Sequence, residues 1–290
     1  MHFQLNKSRF FIKFFLFSVT LLMTLPCFAV TDTSYVSTQK GASRFQLFAS
    51  GKAADIFVSD TDFPGVIRAA KDLASDIQMV STIKPNLNVN ASKFSKEIIL
   101  IGTIGKNSLI DQLIKQGKLN VSGAVGKWET SLTQIILNPM PGVSKALVIA
   151  GSDKRGTIYG IYDLSQQIGV SPWYYWADVP VKKQAALYVL PGRHSQGTPA
   201  VKYRGIFIND EAPALSGWAK DKFGGFNHQF YEKVFELILR LKGNYLWPAM
   251  WGSAFNDDDK VNPVKADEYG IVMGTSHHEP LVRAHDEWRR

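Results

Sequence analysis

The sequence predicts an α/β protein in which a small α/β region precedes the first part of a (β/α)8 TIM-type barrel. Three observations carry this. Short apolar runs alternate with runs of helical periodicity along most of the 290 residues, the pattern of strands and helices sharing one core. A stretch rich in Pro and Gly at 191–200 divides the chain, as exposed linkers do. Beyond it, three strand-like runs stop at polar and aromatic side chains, and in such barrels the residues past the carboxyl ends of the strands converge on one face.

The chain begins with Lys7, Arg9 and Lys13, an apolar run at 14–25 and then Pro26-Cys27-Phe28-Ala29. This order reads as a secretory signal peptide over 1–29, cleaved after Ala29, which places the protein outside the cell or in a periplasm. A spanning helix needs ~20 apolar residues, more than this run supplies. Pro26 argues against a lipid anchor on Cys27. Cleavage removes the sole cysteine, so the mature fold holds without disulfides.

With 45% hydrophobic and 20% charged residues the composition is globular and leaves room for roughly two domains. The formal charge of +8 falls to +5 when the three leader cations are lost. The remaining lysines are scattered, with no basic run, zinc spacing or helix-turn-helix pattern, which excludes nucleic acid as the expected partner.

Residues 30–44 read as an amino-terminal extension and 45–190 as an α/β domain. Runs at 96–101, 134–137 and 146–150 have the continuous apolar character of buried strands. Val66, Ala69, Ala70, Leu73, Ile77 and Val80 fall at helical spacing, and Ile158, Ile161, Leu164 and Ile168 mark a helix over 154–168 that Gly169 ends. Gly151-Ser152-Asp153-Lys154-Arg155-Gly156 has the glycines of an anion-binding turn but lacks the Gly-Lys-Ser/Thr ending, so a structural strand-to-helix turn is expected.

Residues 201–290 read as an incomplete barrel. A strand at 203–208 leads to a helix at 228–242 with Asn227 as cap, Phe230, Val234, Leu237, Ile238 and Leu241 as buried face, and Gly243 as stop. A strand starts again at Asn244. About 90 residues are available here, whereas a whole barrel takes ~250, so truncation is expected.

Arg204-Gly205-Ile206-Phe207-Ile208-Asn209-Asp210-Glu211 ends in an amide and two carboxylates. A carboxylate pair flanking a sugar bond can hydrolyse it, one as acid and one as base, ~6.5 to 9.5 Å apart in inverting enzymes. Adjacent Asp210 and Glu211 point to opposite faces of a strand end. One is expected to face the site while the other orients a neighbour or caps a loop.

His277, His278 and Glu279 lack the His-x-x-x-His spacing of a metal pair; hydrogen bonding to a ligand is the reading, with packing in the wall as its rival for one histidine. Trp218, Tyr245, Trp247, Trp251 and Phe255 offer flat faces on which sugar rings stack. Trp173, Tyr174, Tyr175 and Trp176 read instead as packing between domains. Asn256-Asp257-Asp258-Asp259 lacks the Gly and distal Glu of a calcium loop. Neither metal nor cofactor is expected.

Five blocks carry a resemblance: Gly151-Ser152-Asp153-Lys154-Arg155-Gly156-Thr157-Ile158-Tyr159-Gly160-Ile161-Tyr162-Asp163-Leu164-Ser165, Ser171-Pro172-Trp173-Tyr174-Tyr175-Trp176-Ala177-Asp178-Val179-Pro180, Phe207-Ile208-Asn209-Asp210-Glu211, Leu241-Lys242-Gly243-Asn244-Tyr245-Leu246-Trp247-Pro248-Ala249-Met250-Trp251 and Gly274-Thr275-Ser276-His277-His278-Glu279-Pro280. Together they resemble glycoside hydrolase family 115. The resemblance implies an exported xylan α-1,2-glucuronidase that removes (4-O-methyl)glucuronic acid from glucuronoxylan with inversion, with a hexosaminidase-like α/β domain before the barrel and a homodimer in the full-length form.

On this resemblance Asp210, Glu211 and Glu279 are the catalytic candidates, with a further catalytic carboxylate expected after Arg290 and activity of this chain alone in question. Asn209, Asn244, Trp247, His277, His278 and Arg204 are the substrate-binding candidates, and Arg204, Lys242 and Arg283 the candidate cations for a uronate carboxylate. Two rivals remain open: a carbohydrate-binding protein without an acid–base pair, and another hexosaminidase-like glycosidase.

Overall fold

The computed structural model describes residues 34–90, 93–275 and 285–289. The expected leader at 1–29 lies outside the described residues, as do His277, His278, Glu279 and Arg283.

The apolar run at 98–101 becomes the middle of a six-stranded sheet. Strands β4 (Asp55–Val58), β5 (Leu87–Val89), β6 (Glu97–Thr103) and β8 (Val143–Gly151) run parallel, while β7 (Ser131–Met140) and β10 (Arg193–Gln196) add antiparallel pairs. The order is β10-β7-β8-β6-β4-β5. Ile99 and Ile101 face one hydrophobic cluster, and Ile98 and Leu100 face the other. Both faces are covered, which is why the strand reads as continuously apolar rather than alternating.

Helices α1 (Pro64–Ser81) and α3 (Lys154–Gln167) cover the first face and α2 (Ser108–Lys115) the second. The expected apolar stripes of α1 and α3 are all buried. Asp153 caps α3: its Oδ1 accepts from the Gly156 N–H at 2.7 Å. A Cβ on Gly156 would lie 2.4 Å from the Thr130 carbonyl oxygen, so the glycine lets the helix start press against β7. The turn at 151–156 thereby has a packing role.

Residues 191–200, expected as an exposed linker, contain β10, because the outer edge of β7 offers unpaired N–H and C=O groups that a passing segment satisfies. A small antiparallel sheet that periodicity did not announce joins β1 (Val36–Ser37), β9 (Leu187–Val189), β2 (Phe45–Ala49) and β3 (Lys52–Ala53), in that order.

Next come three parallel strands, β11 (Gly205–Phe207), β12 (Tyr245–Trp247) and β13 (Val272–Met273). Helices α4 (Ala214–Phe223) and α5 (His228–Arg240) connect the first two, and α6 (Phe255–Asp258) and α7 (Val261–Tyr269) the second two. A short α8 (His285–Arg289) is the last described element. Leu246 is fully buried, with Ile206 and Met273, its register partners, packed on the same cluster. Among the described residues these strands form an open sheet and close no barrel.

Asn227 caps α5 as its sequence position foretold, accepting from Gln229 N and Phe230 N at 3.1 and 3.2 Å. The end of α5 differs from expectation: it stops at Arg240, Leu241 is exposed rather than buried, and Lys242, not Gly243, takes the left-handed conformation, with φ 59°. Gly243 is required for space, since a Cβ there would lie 2.9 Å from Ile238 Cγ2 and 3.0 Å from the Arg204 carbonyl oxygen.

Asp259 also serves the start of α5. The backbone N–H of His228, then its Nδ1 at 2.6 Å, and the Val261 N–H hold the Asp259 carboxyl down at about 2, from an ordinary 3.8. Because the folded value is depressed, the stabilisation is fully present above 3.8 and disappears as pH falls through about 2. We expect the urea midpoint of the native protein to exceed that of Asp259→Asn near neutral pH and the gap to close over this window; a gap constant between pH 5 and pH 2 would contradict the assignment.

Of the aromatic run at 173–176, Tyr174 and Trp176 pack as expected, whereas Trp173 is exposed. Trp176 donates from Nε1 to the Lys233 carbonyl at 3.2 Å and lies 5.4 Å from the Trp218 ring, and the Tyr174 hydroxyl donates to Glu236 at 2.9 Å.

Candidate functional site

The carboxyl ends of β11 and β12 lie side by side, with Phe207 in register with Trp247 and the Ile208 N–H donating to the Trp247 carbonyl at 3.1 Å. The Gly274 N–H donates to the Leu246 carbonyl at 2.9 Å, which brings the end of β13 to the same edge. A Cβ on Gly274 would lie 2.1 Å from the Tyr245 hydroxyl, so the bare glycine admits the phenol. One polar and aromatic edge results.

On it, Asn209 and Glu211 are exposed and Asp210 is 2% exposed. Asp210 Oδ2 accepts from the Met250 and Trp251 N–H groups at 3.0 and 2.9 Å. Its Oδ1 is buried and has no hydrogen-bond partner among the described residues. The strand-end alternation thus sends the two acids to different environments, with Glu211 toward solvent and Asp210 under the loop that follows β12.

The candidate aromatics also separate. Trp251 is 56% exposed and Phe207 43%; Trp247 is half-buried, its ring 4.5 Å from that of Tyr245 and tilted by 65°. Phe255 and Trp218 do not belong to this surface. Phe255 is buried with its ring 4.8 Å from Tyr231, and Trp218 packs between Trp176 and Phe223. Both follow from helical positions that face the core.

Arg204 and Asn244, expected with the substrate-binding group, precede β11 and β12 and so lie at the amino ends, away from Glu211. Their polar groups are taken up by buried Glu129. Arg204 Nη2 and Arg155 Nε reach its two carboxylate oxygens at 2.5 Å each, and Asn244 Nδ2 donates to it at 2.7 Å. Asn244 Oδ1 accepts the Arg204 N–H at 2.9 Å. Lys242 pairs with Asp163 at 2.9 Å. These groups form a junction between the two sheet systems, which their spacing in the chain did not disclose.

Two residues missed by sequence reasoning matter here. Neither Glu129 nor Tyr231 belongs to any motif or to the apolar stripe read for α5. The Tyr231 hydroxyl accepts the Ala249 N–H at 3.2 Å. Burial pushes its phenol well above the ordinary range, the Ala249 N–H opposing and the Asp210 and Asp258 charges adding, so it stays a neutral hydroxyl.

Among the described residues no group of three or more His, Cys, Asp or Glu side chains is arranged to hold a metal, and no helix is long and apolar enough to cross a membrane.

Comparison with known proteins locates this architecture. No curated protein matches in sequence. The structure is similar to that of BtGH115A, a 4-O-methyl-α-glucuronidase with specificity for decorated arabinogalactans, with 34% identity, a TM-score of 0.68, and 80% of this chain and 30% of that one covered. This chain therefore spans under a third of that protein's length. The β-N-acetylhexosaminidase of Streptomyces coelicolor A3(2) aligns at 11% identity and a TM-score of 0.47, over 81% of this chain and 43% of that one. The family model for glycosyl hydrolase family 115 matches residues 196–290, the stretch holding both strand-end acids and the β12 loop. The chain belongs to glycosyl hydrolase family 115.

Proposed function

We propose that the protein is an exported glycoside hydrolase that removes (4-O-methyl)glucuronic acid from glucuronoxylan, cleaving an α-1,2 linkage with inversion. The observation that carries this reading is the carboxyl edge of β11 and β12, where a solvent-facing carboxylate, Glu211, stands on the same edge as an exposed indole, Trp251, in a chain of this family. Inverting hydrolysis needs one carboxylic acid to protonate the departing oxygen and a second carboxylate, across a water-wide gap, to activate the nucleophile. Glu211 is assigned to that pair and Asn209 to substrate hydroxyls. Its partner lies outside the described residues, with Glu279 as one candidate.

We further read the three parallel strands as the opening of a (β/α)8 barrel over 201–290, preceded by a hexosaminidase-like α/β domain over 45–190 and the 191–200 connection, and 1–29 as the export signal. The order strand, helix, strand supports the barrel.

The test incubates the full-length protein with glucuronoxylan and measures released uronic acid and its anomeric form. Glu211→Gln is expected to lower turnover by about a hundredfold or more, as loss of a general acid or base does. Release of no uronic acid by a folded protein would sink the glycosidase reading in favour of a binding protein. A second reading, decorated arabinogalactan as the substrate, is favoured by the specificity of BtGH115A; parallel assays on both polysaccharides decide between them.

A further inference from the structure

Three successive backbone N–H groups after β12 are held by side chains from elsewhere in the chain. The Ala249 N–H donates to the Tyr231 hydroxyl, and the Met250 and Trp251 N–H groups both donate to Asp210 Oδ2. Surface loops ordinarily leave such groups to water. Here the acceptors come from two elements, the end of β11 and the interior of α5, and both are buried. A carboxylate accepting from successive amides makes charge-assisted bonds, stronger than neutral ones.

The base of the loop is therefore fixed while its tip is open. Ala249 is buried beside Pro248, whereas Trp251 presents its indole to solvent. We propose that Asp210 and Tyr231 are positioning residues that lock 249–251 and thereby hold the Trp251 ring as a preformed platform for a sugar ring bound next to Glu211. The assignment rests on the glycosidase reading above and adds two roles to it. A ring already in its bound orientation loses little freedom when substrate arrives, so the clamp acts on affinity. It also divides the two strand-end acids: Glu211 acts toward substrate and Asp210 toward the backbone.

Amide hydrogen exchange and kinetics on the full-length protein test this together. Tyr231→Phe keeps the ring in the core and removes only the oxygen. It is expected to speed exchange at 249–251 by about tenfold, the effect of one lost hydrogen bond. It is also expected to raise KM for a glucuronoxylan oligosaccharide about fivefold, with kcat within about twofold, the pattern of lost binding rather than lost chemistry. Asp210→Asn, which keeps an acceptor oxygen, is expected to shift KM in the same direction and leave the shape of the pH–rate profile unchanged. Trp251→Ala should reproduce the rise in KM without touching the clamp.

Unaltered exchange in Tyr231→Phe overturns the clamp, and an unaltered KM in Trp251→Ala overturns the platform. A collapse of kcat in Asp210→Asn with one limb of the pH profile lost makes Asp210 catalytic instead. Should the wild-type protein release no uronic acid, the glycosidase reading fails, while the exchange arm still decides the clamp.

Discussion

Replacing Glu129 with alanine is expected to destabilise the protein by about 3–5 kcal/mol, the range for breaking a buried ion pair from one side. The Glu129 side chain has no exposed surface and accepts from Arg155, Arg204 and Asn244 at 2.5, 2.5 and 2.7 Å. Without it two guanidiniums face each other with neither counter-charge nor full hydration. Both keep some contact with water, 28% and 24% of their side chains, which places the expected loss toward the lower end. Arg155 also donates to the Gly270 carbonyl at 3.1 Å, and Tyr159 to that of Gly243 at 2.8 Å, so the damage reaches the backbone just before β12 and β13. Urea unfolding measures it. A loss under about 1 kcal/mol, the value of an exposed pair, would show that the junction carries no more than surface ion pairs do.

Asp76→Ala is expected to have a comparable effect, about 3–5 kcal/mol, by a simpler route. Arg240 Nη1 and Nη2 donate to the two Asp76 oxygens at 2.9 and 3.0 Å. Both side chains are almost wholly buried, at 3% and 1% exposure. Removing the carboxylate leaves a guanidinium with Glu236, at 2.8 Å, and the rings of Tyr162 and Tyr174 as its remaining company. The matched triple replacement Asp76→Leu, Glu236→Gln and Arg240→Met removes all three charges of the cluster and fills the space. Its stability is expected to return close to that of the native protein, since the attraction within a buried pair roughly offsets the cost of desolvating it. A triple variant as unstable as Asp76→Ala would place the loss in packing rather than in the unbalanced charge.

These two pairs mark where sequence reading stops. Glu129 stands 26, 115 and 75 residues from Arg155, Asn244 and Arg204, and Asp76 stands 164 from Arg240. No periodicity links groups so far apart. Their choice of partner follows from the stacking of α1, α3 and α5 and from the pairing of β11 with β12.

Local patterns were legible because local physics produces them. An apolar run at 98–101 can only be a strand buried on both faces or part of a buried helix, and its length and β-branched residues favour the strand. Asn227 caps α5 because its side chain reaches N–H groups two and three residues ahead. Gly243 follows the helix end as its position suggests, but the left-handed turn falls on Lys242, and it is crowding from Ile238 and Arg204 that excludes a Cβ at Gly243.

The strand-end acids lie between these cases. Asn209, Asp210 and Glu211 at the end of a short apolar run marked a candidate edge, and alternation along the strand foretold that the two acids would part. Sequence alone determined the alternation of strands and helices, the apolar faces and the family blocks, since each depends on residues within a few positions of one another. Only the tertiary structure decided that Asp210 goes under the β12 loop and Glu211 to solvent, that Trp251 is open while Trp218 and Phe255 pack inward, and that Arg204 and Asn244 serve a junction. Those outcomes depend on burial and on partners supplied by distant segments, and a side chain's environment comes into being when those segments pack.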